Sequence, residues 1–226
     1  VNKLARFALI ALLTAFPWLA HAETSVSPGI NAPYANANVN RWRGVFERDG
    51  REVWDRRHDI LAALALRPGM AVADVGAGTG FFVKMFAKTV GPNGLVYAVD
   101  ITPSFVEDIR TWADGMGHRN VRGIVNTARS AKLPAASVDL VFTSDTYHHF
   151  EYPQSMLASL HQALRPGGEL VIVDFKRIPG VSHPWVLGHV RAGEETVVAE
   201  VEGAGFELIE RNDFMQTQYF LRFRKR

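Results

Sequence analysis

The sequence predicts an α/β domain: a doubly wound, seven-stranded sheet, mostly parallel, with an antiparallel last strand. Three observations predict it. Short apolar, β-branched runs alternate with stretches of helical period along most of the 226-residue chain. The first such run, Val72-Ala73-Asp74-Val75, stops in the glycine-rich stretch Gly76-Ala77-Gly78-Thr79-Gly80, after which Phe82, Val83, Phe86 and Ala87 recur at helical spacing. The last two strand-like runs have no helix between them, so they pair antiparallel.

Residues 23–40, rich in Ala, Asn, Ser and Pro, read as a flexible linker ahead of a domain over 41–226. Helical signal begins near Arg41. Val53, Trp54, Arg57, Ile60, Leu61 and Leu64 then keep i, i+3, i+4 spacing until Pro68-Gly69 ends the helix. Strand one is Ala71–Val75, followed by a helix over Phe81–Thr89 and a turn at Gly91-Pro92-Asn93-Gly94. Strand two runs from Leu95 to Asp100, and Pro103–Trp112 is helical. Val121–Val125 and Val138–Thr143 are the third and fourth strands. A helix over Tyr152–Leu164 is stopped by Pro166-Gly167-Gly168, and Glu169–Asp174 is the fifth strand. A helix over Glu194–Gly203 precedes the closing pair, Phe206–Arg211 and Gln218–Arg224.

Residues 1–22 read differently. Lys3 and Arg6 form a basic start, Phe7 to Leu19 is apolar, and Ala20-His21-Ala22 is an A-x-A cleavage site. This is the pattern of a secretory signal peptide, and it predicts an exported, periplasmic bacterial protein with no transmembrane span after cleavage. Cleavage removes Lys3 and Arg6 but no acid, so the 25 Lys and Arg fall to match the 23 Asp and Glu. A neutral mature chain argues against nucleic acid as a partner. With no cysteine, disulfides, zinc–thiolate sites and Cys nucleophiles are excluded.

The glycine stretch carries the chemistry. Strand, glycine turn and helix bring backbone N–H groups up to a ligand, and glycine lets the backbone approach it closely. A dinucleotide fingerprint, G-x-G-x-x-G/A, needs a small residue where Phe81 stands. The pattern is instead G-x-G-x-G, led by Asp74, and Asp100 at the tip of strand two is placed to accept hydrogen bonds from two ribose hydroxyls.

On these residues the chain resembles the class I S-adenosylmethionine (SAM)-dependent methyltransferases, which have a Rossmann-like fold. The resemblance covers about Arg57 to Arg224 and extends to Leu133-Pro134-Ala135-Ala136-Ser137-Val138-Asp139-Leu140-Val141 and Leu164-Arg165-Pro166-Gly167-Gly168. It implies SAM as cofactor, held by Asp74, Gly76, Ala77, Gly78, Gly80, Asp100 and Ile101. One departure stands out: the family has an acid for the adenine amino group about four residues before the Leu-Pro, and Thr127-Ala128-Arg129-Ser130-Ala131-Lys132 contains none.

The tip of strand four, Asp145-Thr146-Tyr147-His148-His149-Phe150, points at the reacting methyl group in such a fold. His148 is a candidate general base, Asp145 a second base or a partner fixing a histidine tautomer, and Tyr147 a group that orients the substrate or shapes the sulfonium pocket. His149 is a candidate substrate contact. After strand five, His189 and Arg191 alternate on one face if that piece is extended, and suit an anionic acceptor. Arg56 or Arg57 is placed to approach Asp100 or the SAM carboxylate. His148, His149, His183 and His189, with the acids Asp145 and Asp174, are candidates to converge near one rim, but their spacing matches no metal-ligand signature, so no metal is predicted. The expected function is methyl transfer from SAM to a small-molecule or lipid-like acceptor; the alternative is an exported, non-catalytic SAM- or nucleoside-binding protein.

Overall fold

The computed structural model describes residues 22–226, so the expected signal peptide, Ala22 apart, lies outside the described residues. Seven strands form one sheet: β1 (Ala71–Val75), β2 (Leu95–Asp100), β3 (Val121–Val125), β4 (Val138–Ser144), β5 (Leu164–Phe175), β6 (Phe206–Asn212) and β7 (Gln218–Lys225). Their order is β3-β2-β1-β4-β5-β7-β6, and β7 alone runs against its neighbours. The chain winds outward from β1 to β3, returns, and starts again at β4 beside β1. The two halves thus diverge between β1 and β4, and a cleft opens beyond their carboxyl ends.

Side chains alternate across the strands as a twofold period requires. Ala73, Val75, Val141 and Ile172 pack under α6 (Pro153–Ala163) and α8 (Glu194–Gly203). Val72, Leu140, Phe142 and Val171 pack on the other face with α3 (Arg57–Leu64), α4 (Phe81–Val90) and Ile109 of α5 (Pro103–Gly115). No helix of the described residues is long and apolar enough to cross a membrane.

Three local expectations are corrected. The helix expected over 53–64 is broken at Arg56 into α2 (Glu52–Asp55) and α3. Its two ends are drawn to different places: the Glu52 carboxylate accepts the N–H groups of Gln216 and Thr217, while Ile60 and Leu64 are buried in the core. β5 begins at Leu164, not Glu169, because a register shift against β4 between Val138 and Leu140 absorbs Pro166-Gly167-Gly168.

The stretch 23–40 is docked on the domain, where its composition suggested a flexible linker. The Glu23 carboxylate accepts the N–H groups of Gln154 and Ser155, both at 2.8 Å, at the start of α6. The Val26 N–H donates to the Glu151 carbonyl and the Asn31 amide to the His149 carbonyl. The side chains of Glu23, Ser25 and Asn31 are hydrogen-bond partners of the domain. It leads into α1 (Val39–Phe46), started by the Asn38 side chain capping the Arg41 N–H.

Candidate active site

The cleft is a cavity of about 980 Å³. Its floor is the glycine turn after β1. Gly76, Gly78 and Gly80 have φ of +80°, +51° and +76°, values that L side chains rarely adopt. At Gly76 a Cβ would lie 2.2 Å from Thr146 Cγ2, and at Gly80 one would lie 2.6 Å from Ile109 Cγ1. Gly76 therefore lets the β1 and β4 tips meet, and Gly80 lets α5 pack against the turn. Asp74, Gly76, Ala77, Gly78, Asp100 and Ile101 line the cavity; Gly80 stands behind it as the first residue of the α4 turn.

The expectation that the turn offers its N–H groups to a ligand is corrected. Gly76 and Ala77 donate to the Val99 carbonyl, Gly80 to the Ala77 carbonyl, and Gly78 to Asp100 Oδ2 at 2.8 Å. What these glycines provide is close approach. The second oxygen of Asp100 accepts the Thr102 N–H at 2.8 Å. Burial raises the Asp100 carboxyl above its ordinary value, against the pull of those N–H groups. Burial, and next the charge of Asp100, push Asp74 up to about 8. Where the adenine acid is missing, Asn126, Thr127 and Ala128 face the cavity.

A roof comes from the N-terminal segments. Tyr34, Trp42 and Phe46 form a ring ladder with centroids 4.6 and 5.1 Å apart, and Phe46 meets Phe105 of α5. Thr79 of the turn donates to Glu47 at 2.7 Å. Arg51 lies against the faces of Phe46 and Phe81 and bonds Asp145 at 2.7 Å. Arg51 and Arg48 both line the cavity. Arg56 pairs with Asp59 and Arg57 caps the Trp54 carbonyl, so the expected approach of either to Asp100 is not observed.

Beyond β4, Asp145 adopts φ +47°, a left-handed conformation tolerated by aspartate, with its N–H on the Val173 carbonyl and its second oxygen on Gln218. A short 3₁₀ turn over Tyr147–His149 then splits three neighbours between two environments. His148 faces the cavity, and its Nδ1 lies 2.8 Å from Asp174 Oδ1. Burial lowers the His148 pKa, but the Asp174 carboxylate outweighs it and leaves the value raised; Asp174 is correspondingly lowered. His149 also lines the cavity; burial and the neighbouring His148 hold it down at about 3.

Tyr147 points the other way. It is buried in the α6/α8 core, and its hydroxyl donates to Glu200 at 2.7 Å. It does not line the cavity, which corrects its candidacy as a substrate or sulfonium contact. Arg191 is corrected with it. Both its terminal nitrogens bond Glu200 at 2.8 Å, away from the cavity. His189 does reach the cavity, as the last residue of the short helix α7 (Pro184–His189). The helix ends at His189 and the chain turns at Val190, so His189 faces the cavity while Arg191 is drawn to Glu200, and the two do not share a face.

The far end of the cavity is lined by Phe175, Ile178, Val181 and Trp185 beside the histidines. The chain therefore brings a nucleoside-type end and an aromatic, histidine-rich end into one space. Sequence reasoning missed Arg51 and Gln218, whose only signal was polarity. It placed Asp174 only as one of two acids at the rim with the histidines.

Comparisons with known proteins agree with this geometry. Residues 73–172 match the family model described as a methyltransferase domain. The ubiquinone/menaquinone biosynthesis C-methyltransferase UbiE of Hydrogenovibrio crunogenus is 32% identical over 127 residues, 54% of this chain and 48% of its own. That of Cupriavidus taiwanensis is 28% identical over 120 residues, 52% and 48%. The chain thus spans about half the length of the curated relatives it matches. Among solved structures, a SAM-dependent methyltransferase from Aquifex aeolicus superposes with a TM-score of 0.73 at 25% identity, covering 83% of this chain and 98% of that one. Residues 73–172 thus match a methyltransferase domain on a fold shared with SAM-dependent methyltransferases. Its cofactor is S-adenosylmethionine, and the close-approach turn and the Asp100 carboxylate fit that group.

Proposed function

We propose that the protein transfers the methyl group of SAM to a small or lipid-like acceptor bound at the histidine end of the same cavity. The observation that carries this reading is that one cavity is lined by Gly76, Gly78 and Asp100 at one end and by His148, His149, His189, Phe175 and Trp185 at the other. Bound SAM supplies a methyl group on an already activated sulfonium, so the protein's task is alignment and exclusion of water.

Each residue then has a role consistent with its place. Asp100 holds the ribose, and the turn from Gly76 to Gly78, with Ile101 beside it, allows the cofactor to lie against the backbone. Asp74 orients the turn and faces the cofactor's methionine end. Tyr34, Trp42 and Phe46 close the site against water. Arg51 fixes Asp145, and that pair sets the wall between the two ends. The His148–Asp174 pair is the place where an acceptor proton is lost, with Asp174 fixing the ring so that Nε2 faces the cavity. The apolar rings at the far end favour an acceptor with an aromatic or isoprenoid-like body. The relatives named for C-methylation in ubiquinone and menaquinone biosynthesis favour carbon as the atom methylated. The signal sequence in residues 1–22 supports export to the periplasm.

The test is calorimetric titration of the purified protein with SAM and S-adenosylhomocysteine, followed by incubation with methyl-labelled SAM and a panel of phenolic and quinol acceptors. Micromolar binding and label in an acceptor are expected. Binding without transfer to any acceptor would favour the non-catalytic alternative, and absence of binding would overturn the reading.

A further inference from the structure

We propose that His148, His149 and His189 form a binding site for one divalent transition-metal ion at the acceptor end of the cavity. One ring nitrogen of each lies within 4.8 Å of those of the other two. The ring centroids are 4.3 Å apart for His148 and His149, and 5.2 Å for each of them with His189. A tetrahedral ion with bonds of about 2.1 Å needs nitrogens roughly 3.4 Å apart, so no pair has more than about 1.4 Å to close.

Three features distinguish this from simple packing of rings. First, Asp174 occupies Nδ1 of His148 and leaves Nε2 as the nitrogen on offer. Outer carboxylates orient metal-binding imidazoles in this way. Second, Nδ1 of His149 is buried without a hydrogen-bond partner. Ring packing leaves that nitrogen unsatisfied, whereas a bond to an ion satisfies it. Third, the charge suits a cation. The ligands are three imidazoles, Asp174 lies directly behind them, and the nearby Arg51 is already engaged by Asp145. Trp185 stacks on His189 with centroids 4.7 Å apart and holds that ring toward the other two.

An all-imidazole set selects zinc, iron, cobalt, nickel or copper over magnesium and calcium, which require oxygen ligands. Three protein ligands leave a tetrahedral ion one position, and here that position faces the cavity. It suits a phenol or enol oxygen of the acceptor, which would bind as the oxyanion with its proton released to solvent water. This use of the ion rests on the methyl-transfer reading and would take over the proton-loss role given there to His148; the binding of the ion does not depend on it.

The test uses the full chain without a polyhistidine tag, stripped with a chelator and titrated with Co²⁺ under visible absorption. One equivalent is expected, with d–d bands that Zn²⁺ abolishes. His189→Ala, at the end of α7, should weaken binding roughly 100-fold or more, above the loss of an outer-shell partner. His58→Ala, on the exposed side of α3, should leave it unchanged. The site is overturned if the wild type takes up no stoichiometric ion, or if His189→Ala binds Co²⁺ as tightly as the wild type. S-adenosylhomocysteine binding is measured in parallel. Retained cofactor binding with lost Co²⁺ in His189→Ala supports the site, whereas a wild type that binds Co²⁺ but no cofactor upholds the site and overturns the methyl-transfer reading.

Discussion

Asp100 Oδ2 accepts the Gly78 N–H at 2.8 Å, so the acid at the tip of β2 holds the glycine turn of β1 in place. One carboxylate thus supports the turn and lines the cavity. Asp100→Ala should weaken S-adenosylhomocysteine binding roughly 30-fold or more in a calorimetric titration, the loss of about 2 kcal/mol from a hydrogen bond to a charged acceptor. Asp100→Asn keeps an oxygen for the Gly78 N–H and should fall between Ala and wild type.

Asp74 gives a pH dependence. Its folded carboxyl titrates near about 8 because it is buried beside Asp100, whereas an unfolded aspartate titrates near about 3.9. Between these values the folded protein keeps a proton that the unfolded chain has lost, so this group's contribution to stability falls as pH rises across the window. Asp74→Asn should match wild-type Tm near pH 4 and exceed it at pH 8. At roughly 2–4 °C per kcal/mol for a domain of this size, the relieved penalty should read as a rise of several degrees. Equal melting temperatures at pH 8 would show that the carboxyl ionises there without penalty.

Gly76→Ala should be strongly destabilising, because its Cβ would meet Thr146 at 2.2 Å on a backbone with φ +80°. Urea denaturation should register about 3 kcal/mol or more. Thr146→Gly in the same chain removes the clash and should recover part of the loss, leaving the conformational cost of about 1–2 kcal/mol. No recovery would mean that backbone strain alone is responsible.

Tyr147→Phe separates the core from the site. The hydroxyl bonds Glu200 and faces away from the cavity, so its removal should lower stability by about 1 kcal/mol. Cofactor affinity should not change. A tenfold drop in that affinity would place the phenol at the site after all.

The parts legible in the sequence are those set by local rules. Strand, glycine turn and helix between Ala71 and Val90 depend on neighbours a few residues apart, and so do the ends of β2 and β4. Asp74, Gly76, Gly78, Asp100 and His148 were readable because chain order in a parallel sheet fixes which strand tips face the cleft. Arg51 and Gln218 were not, since both reach Asp145 from distant parts of the chain. The opposite facing of Tyr147 and His148 depends on a 3₁₀ turn that side-chain type does not announce. Residues 23–38 misled for another reason: a polar, Pro- and Asn-rich stretch has the same composition whether its hydrogen bonds go to water or to the domain.

The clamp on Asp145 also has a consequence in time. One of its partners lies 94 residues earlier and the other 73 residues later. That later partner, Gln218, belongs to a strand that slots between β5 and β6. During synthesis the glycine turn and the tip of β4 can form early, yet the wall between the two halves of the cleft stays loose until β7 has been made and inserted. A growing chain therefore carries the glycine turn and Asp100 well before it has a finished pocket, and assembly of the cavity coincides with completion of the sheet.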